Sequence, residues 1–241
     1  MNTLTIDLAT KDYRDFGIAF LEAGSSKPEF LKAAALELSG SPSVVDLAVG
    51  LNNFCSANDV TALVIDGPHA WKNPASGVDH MRIAERVLNT PAKTGPVGQV
   101  KPSTMLNFTI FSITLFQTMR DEYGWNLLTP RWASRNKKKR IIAEAFPTAA
   151  WRTLGLDPLP GKSRTKKAQL QTWRKSLQEA TGYSLPDKLT HDELQAAVVL
   201  PVGEAIAARD RDRVLLLGEK PSFTPAGDAI EGYIAVPCTP H

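Results

Sequence analysis

Short apolar runs that meet an acid at their far end constrain this chain more than any other feature of its sequence. Leu4 to Leu8 contains Asp7, Ala62 to Ile65 runs into Asp66-Gly67-Pro68, and Ile141 to Ala145 contains Glu144. Runs of this length, apolar almost throughout, are what strands look like when both sheet faces are covered. Arg14 to Leu21 follows the first run after a turn-like link and is expected to pair with it antiparallel. Phe30 to Leu38 suits either a third strand or a helix. Between and after these runs the period changes. Ser41-Pro42 is a helix start, and Val44, Val45, Ala48, Val49 and Leu51 give that helix a buried face. Further helices are expected over Ser103 to Tyr123, Lys166 to Thr181, and Thr190 to Arg209 with a kink at Pro201. Val214 to Leu217 and Tyr233 to Val236 read as late strands. This order predicts an α/β fold. Its mixed sheet has an antiparallel opening meander, then parallel strands, with helices on both faces. It is expected to form one domain over residues 1–241. Residues 67–102 then form a loop-rich insertion with one helix near Val78 to Leu88.

Composition removes several function classes. The 241 residues hold two cysteines, Cys55 and Cys238, which excludes a disulfide framework and a four-cysteine zinc site. A reduced, cytoplasmic setting is the default expectation. The most apolar stretch, Thr104 to Met119, is interrupted by Asn107, Thr109, Ser112, Thr114 and Gln117, so no membrane association is expected. His69, His80, His191 and His241 show no zinc spacing, and no glycine-rich phosphate loop is present. His191, beside Asp192, suits either proton transfer or the first position of a helix.

The formal net charge of +3 hides an asymmetry. Between Arg131 and Lys175 stand thirteen Lys or Arg and two acids, a net +11. The remainder, with fifteen basic and twenty-three acidic residues, is −8. Such a segment is either a solvated charged face or the footprint of a polyanion. The second reading makes nucleic acid, DNA or RNA, the expected partner. Its contacts would come from Arg131, Arg135, Lys137, Lys138, Lys139 and Arg140, and from Lys162, Arg164, Lys166 and Lys167. Trp132, Trp151 and Trp173 are interleaved with these cations, to stack on bases or to pack in the core.

Asp7, Asp66 and Glu144 share the carboxyl ends of strands, where open α/β sheets build their sites. Asp192 opens a late helix. Each has a structural account: Asp66 before Gly-Pro makes a turn, and Asp192 suits the positive end of its helix. Thr190 and Glu193 beside it form a capping box. Together, the four carboxylates would repel one another unless a cation sat among them, and hard oxygen ligands suit Mg²⁺ or Mn²⁺.

Five segments occur in a telling order: Thr5-Ile6-Asp7-Leu8-Ala9, Val64-Ile65-Asp66-Gly67-Pro68, Ala143-Glu144-Ala145-Phe146-Pro147, His191-Asp192-Glu193-Leu194-Gln195-Ala196-Ala197, and Glu231-Gly232-Tyr233-Ile234-Ala235-Val236-Pro237. The ordered set, spanning nearly the whole chain, resembles the predicted-nuclease family known as domain of unknown function 429, in the RNase H-like superfamily. The resemblance implies Asp7 on the first strand, Asp66 on the adjacent fourth, Glu144 on the fifth and Asp192 on a late helix packed on the sheet. It also implies phosphodiester hydrolysis by two metals held by those four residues. Holliday-junction resolvases of this superfamily often carry Asp-x-x-Asp-Ala on the late helix; here the second acid is replaced by Gln195. An amide ligates weakly and brings no charge. A non-catalytic nucleic-acid or protein-binding module on the same fold is therefore the alternative.

Overall fold

The structure is a computed structural model that describes residues 1–133 and 139–238. The expected phosphate contacts Arg135, Lys137 and Lys138 lie outside the described residues. The chain opens with β1 (Asn2–Asp7), β2 (Gly17–Leu21) and the two-residue β3 (Glu29–Phe30), followed by α1 (Val44–Ala57) and β4 (Val60–Asp66). After β4 come α2 (Ile83–Leu88), β5 (Lys93–Thr94) and β6 (Val100–Lys101), then α3 (Leu106–Asp121), β7 (Asn126–Leu127) and β8 (Ile141–Ala145). The remainder holds α4 (Pro147–Thr153), α5 (Leu170–Thr181), α6 (His191–Val198), α7 (Leu200–Ala208), β9 (Val214–Gly218), β10 (Ser222–Phe223), β11 (Ala229–Ile230) and β12 (Tyr233–Pro237).

The main sheet has the order β3-β2-β1-β4-β8-β12-β9. β2 pairs antiparallel with β1 and β3, while β4 is parallel to β1 and β8 is parallel to β4. β8 then shares its outer edge between β7 at Ile141 and Ile142 and β12 at Glu144 and Ala145. A β3-β2-β1-β4-β8 core with only β2 reversed is the RNase H-like mixed sheet that the sequence predicts.

Pleating sorts the strand residues onto two faces, because successive side chains point to opposite sides. Leu4, Ile6, Leu63, Ile65 and Ile142 pack with Leu47 and Leu51 of α1 and Leu115 and Phe116 of α3. Ala62, Val64, Ile141, Ala143 and Ala145 pack with Leu194 and Ala197 of α6 and Leu200 and Ile206 of α7. Thr3 and Thr5 belong to this second face, where the Thr5 hydroxyl donates to the Ala196 carbonyl at 2.7 Å.

Local chemistry sets the boundaries. β2 begins three residues later than expected, because Asp12 accepts from the Arg14 amide at 2.8 Å and winds Tyr13–Asp15 into a 3₁₀ turn. α1 is capped by Ser43, which accepts from the Asp46 amide at 3.1 Å, and not by Ser41. Phe30 to Leu38 divides into the end of β3 and a 3₁₀ turn over Ala33–Leu36. The long late helix is two helices, since Pro201 lacks an amide proton and stands in the first turn of a restarted α7. Pro147 likewise opens α4, a helix beyond those expected from the sequence. Among the described residues, no helix is long and apolar enough to cross a membrane.

Candidate metal centre

Asp7 and Asp66 are the last residues of β1 and β4, and they are register partners across the parallel pair. Neighbours in register project to the same face, so the two carboxyl groups meet and hydrogen-bond each other. Such a bond between two carboxyl groups needs a proton on one of them. Burial, reinforced by the charges of Asp66 and Asp192, holds the Asp7 carboxyl well above the usual range. Burial likewise pushes Asp66 up to about 7, with the negative charge of Glu144 adding to the rise and the hydrogen bond from Asp7 opposing it.

The start of α6 brings a third acid to the Asp7 side of this pair. Thr190 caps the helix: its hydroxyl accepts from the Glu193 amide at 3.2 Å, and the Glu193 carboxylate accepts from the Thr190 amide at 2.8 Å. Gly17 lets that turn sit down on β2. A Cβ there would lie 1.9 Å from the Asp192 carbonyl oxygen. Gly17→Ala is thus expected to lift the first turn of α6, cost about 1–3 kcal/mol of stability through overpacking, and weaken divalent-cation affinity together with it. Thermal unfolding and Mn²⁺ titration of this variant check the coupling. Lost stability with unchanged Mn²⁺ affinity would show that α6 does not set the site.

Ligand atoms of Asp7, His191 and Asp192 all lie within 4.8 Å of one another. His191 Nε2 is 2.9 Å from the Pro160 carbonyl oxygen. A carbonyl only accepts, so Nε2 donates to it and Nδ1 is the ring atom turned toward Asp192. That atom lies 3.3 Å from Asp192 Oδ1. A carboxylate oxygen and a ring nitrogen this close share a proton or a cation, as do the paired carboxyls of Asp7 and Asp66. The donor set therefore fits a hard divalent cation such as Mg²⁺ or Mn²⁺, with one imidazole beside the oxygens. The opposite edge of Asp192, Oδ2, accepts from Lys162 Nζ at 2.6 Å, and Lys162 also reaches Asp15 at 3.0 Å. Burial tends to raise the Asp192 carboxyl, but His191 and Lys162 outweigh it and leave the group below its ordinary value.

Glu144 does not join this cluster. It is the register partner of Ile65, one step short of the Asp66 level, and pleating turns it to the face of α3. There Arg82 grips both its oxygens, at 2.8 and 2.7 Å, and His69 meets it through its amide at 3.0 Å and Nδ1 at 2.6 Å. Burial works to raise Glu144, but Arg82 and His69 hold it down to about 2. Gln195 is likewise engaged, its Oε1 accepting from Trp151 Nε1 at 2.8 Å.

The two basic clusters separate. Lys162 and Lys167 line a groove of about 730 Å³ beside Asp192, together with Arg14, Lys32, Arg174 and Lys188. Arg164 and Lys166 stand exposed in the same segment. Lys139 and Arg140, by contrast, immediately precede β8 and so lie at the opposite edge of the sheet, roughly 15 Å of strand away at ~3.3 Å per residue. Arg140 is spent there, on Asn52 at 3.0 Å and over the Trp125 ring. Arg209 bonds the carbonyls of both Trp132 and Lys139, which places Arg131 in the same region. The expectation that both clusters flank one cleft therefore fails for the described residues. Trp132 and Trp151 are buried in the core, and neither is open for stacking.

No family model matches the chain, and no curated protein sequence matches it, so the family named above stays a resemblance. Among solved structures, a Thermus thermophilus RuvC structure is similar at 9% identity over 87% of this chain and 96% of that one, with a TM-score of 0.40. T. thermophilus RuvC in complex with Holliday junction substrate is similar at 10% identity over 87% of this chain and 95% of that one, with a TM-score of 0.41. The fold assignment rests on the strand order and register given above.

Proposed function

We propose that the chain is a divalent-metal-dependent nuclease that hydrolyses phosphodiester bonds of nucleic acid at the carboxyl ends of β1 and β4. The observation that carries this reading is the register pair Asp7–Asp66 at the strand ends, with Asp192 and His191 gathered beside Asp7 at the mouth of a cationic groove. Asp7, Asp66 and Asp192, with Nδ1 of His191, would hold Mg²⁺ or Mn²⁺. The cation, when bound, lowers the pKa of an attacking water and neutralises charge that develops on the phosphate. The chain's own part is placement. Parallel register fixes two carboxylates side by side, the capped α6 holds the third, and the hydrogen bond to Pro160 keeps the imidazole ring oriented with Nδ1 inward. Cations of the groove would hold the phosphate backbone without reading sequence. Glu144, bound to Arg82 and His69, anchors the segment after β4 to the sheet and stays outside the metal shell.

A binding-only module remains a second reading because Gln195, tied to Trp151, supplies no charge where a fourth acid would stand. Incubating the protein with mixed DNA and RNA substrates, with Mn²⁺ or Mg²⁺ and then with a chelator, separates the two. Cation-dependent cleavage is expected; tight binding without any cleavage favours the module. The groove has its own test. Replacing Arg164, Lys166 and Lys167 by Gln is expected to flatten the dependence of log affinity on log salt by about 0.7–0.9 for each phosphate no longer neutralised. Replacing Arg131 and Lys139 should leave that slope unchanged, because they sit at the far edge of the sheet. A slope insensitive to the first set would remove the groove from the nucleic-acid path.

A further inference from the structure

We propose that this site takes one divalent cation, and that the Lys162 ammonium stands in for a second and contacts the reacting phosphate. The inference rests on the nuclease reading above and sharpens it. Asp192 carries the argument. Its Oδ1 lies 3.3 Å from His191 Nδ1 and its Oδ2 accepts from Lys162 Nζ at 2.6 Å, while a carboxylate oxygen of Asp7 lies within 4.8 Å of the ligand atoms of Asp192 and His191. A carboxylate placed between two cationic positions is the bridging arrangement of two-metal sites. Here one of those positions is filled by an ammonium of the chain itself.

Among the described residues, the acids and amides nearest a second metal position are each otherwise engaged. Glu144 is held by Arg82 and His69 on the other face of the sheet. The Gln195 amide is uncharged and is held by Trp151. Asp15, the next acid, is itself bound to Lys162 at 3.0 Å. An ammonium has three N–H donors, and Asp192 and Asp15 use two of them. The side chain is 56% exposed and lines the groove, so its third donor is open to a phosphate oxygen.

Counting bound Mn²⁺ by calorimetry and electron paramagnetic resonance tests the proposal. The full chain is used, alone and with an uncleavable phosphorothioate oligonucleotide. One Mn²⁺ per chain is expected in both cases. Lys162→Met should keep that Mn²⁺ and bind it more tightly, since a competing positive charge is gone. Its kcat should fall about 100-fold, the scale for losing one donor to developing negative charge, with KM little changed. Lys162→Arg should recover part of kcat. Two Mn²⁺ per wild-type chain, or full kcat in Lys162→Met, overturns the role of Lys162 and leaves the nuclease reading standing. No Mn²⁺ binding at all overturns both.

Discussion

Asp66→Asn is expected to lower cleavage by at least about 100-fold and, in the absence of metal, to make the protein more stable at neutral pH. The loss follows from removing a carboxylate of the metal shell, since even groups that merely orient a ligand cost 10–100-fold when removed. The gain follows from the strain between Asp66 and Asp7. Burial raises both groups, Asp66 to about 7 and Asp7 well above its ordinary value. A carboxyl raised on folding binds its proton more tightly in the folded state. Its contribution to stability is full below the unfolded value of roughly 3.9 and is lost as pH rises toward and past the folded value. The metal-free wild type should therefore weaken between about pH 4 and above pH 7, on the order of 2 kcal/mol for this pair after solvent screening. Asn cannot ionise, so the variant escapes the penalty. Melting curves in chelator at pH 5 and pH 8 check it, and Mn²⁺ should stabilise the wild type more at pH 8 than at pH 5. If Asp66→Asn melts no higher than wild type at pH 8 without metal, the two carboxyls are not in conflict.

The same arithmetic of faces explains what the sequence disclosed and what it withheld. Asp7 and Asp66 were legible because each closes an apolar run, and adjacent parallel strands put such ends side by side. Glu144 looks identical by that criterion, yet it stands one residue before the end of β8 and shares the parity of Ile142. Alternation along Ile141-Ile142-Ala143-Glu144-Ala145 carried that signal once β8 was set in register with β4. Charge density along the chain also says nothing about which end of a sheet a segment occupies. Arg131, Lys139 and Arg140 precede a strand parallel to β1, whereas Lys162 and Lys167 follow one, and that order puts them at opposite edges. Other features had no sequence signal. β5, β6, β10 and β11 are two residues each and exist only as paired partners. The bond between Gln195 and Trp151 joins residues 44 apart in the chain. His191 was visible beside Asp192, but the orientation of its ring depends on the Pro160 carbonyl, a contact from a loop thirty-one residues away.

Arg82→Met is expected to cost about 3–5 kcal/mol, the scale for stranding one partner of a buried ion pair. Arg82 is fully buried, and it holds Glu144 through two bonds and Glu85 through Nε at 3.0 Å. Glu85 in turn accepts from the Thr94 amide at 2.8 Å, so the network ties α2 and β5 to the end of β8. Without the guanidinium, two buried carboxylates lose their main counter-charge. The pH dependence carries the sign. Glu144 is held down to about 2, so its contribution is present above the unfolded value, roughly 4.3, and is lost as pH falls toward 2. In Arg82→Met that depression is gone, and the penalty should be largest at pH 8 and shrink toward pH 4 as the carboxyls take up protons. Adding Glu144→Gln should recover part of the loss, because the two positions are in direct contact and their effects do not add. Glu144→Gln alone also decides where Glu144 belongs. Bound to Arg82 and His69, it should leave Mn²⁺ affinity within about threefold of wild type. A residue inside the metal shell would cost more than the roughly 10–100-fold lost with a mere supporting partner. Calorimetric titration with Mn²⁺ distinguishes the two: a loss of that size would return Glu144 to the metal and leave Arg82 as its orienting partner.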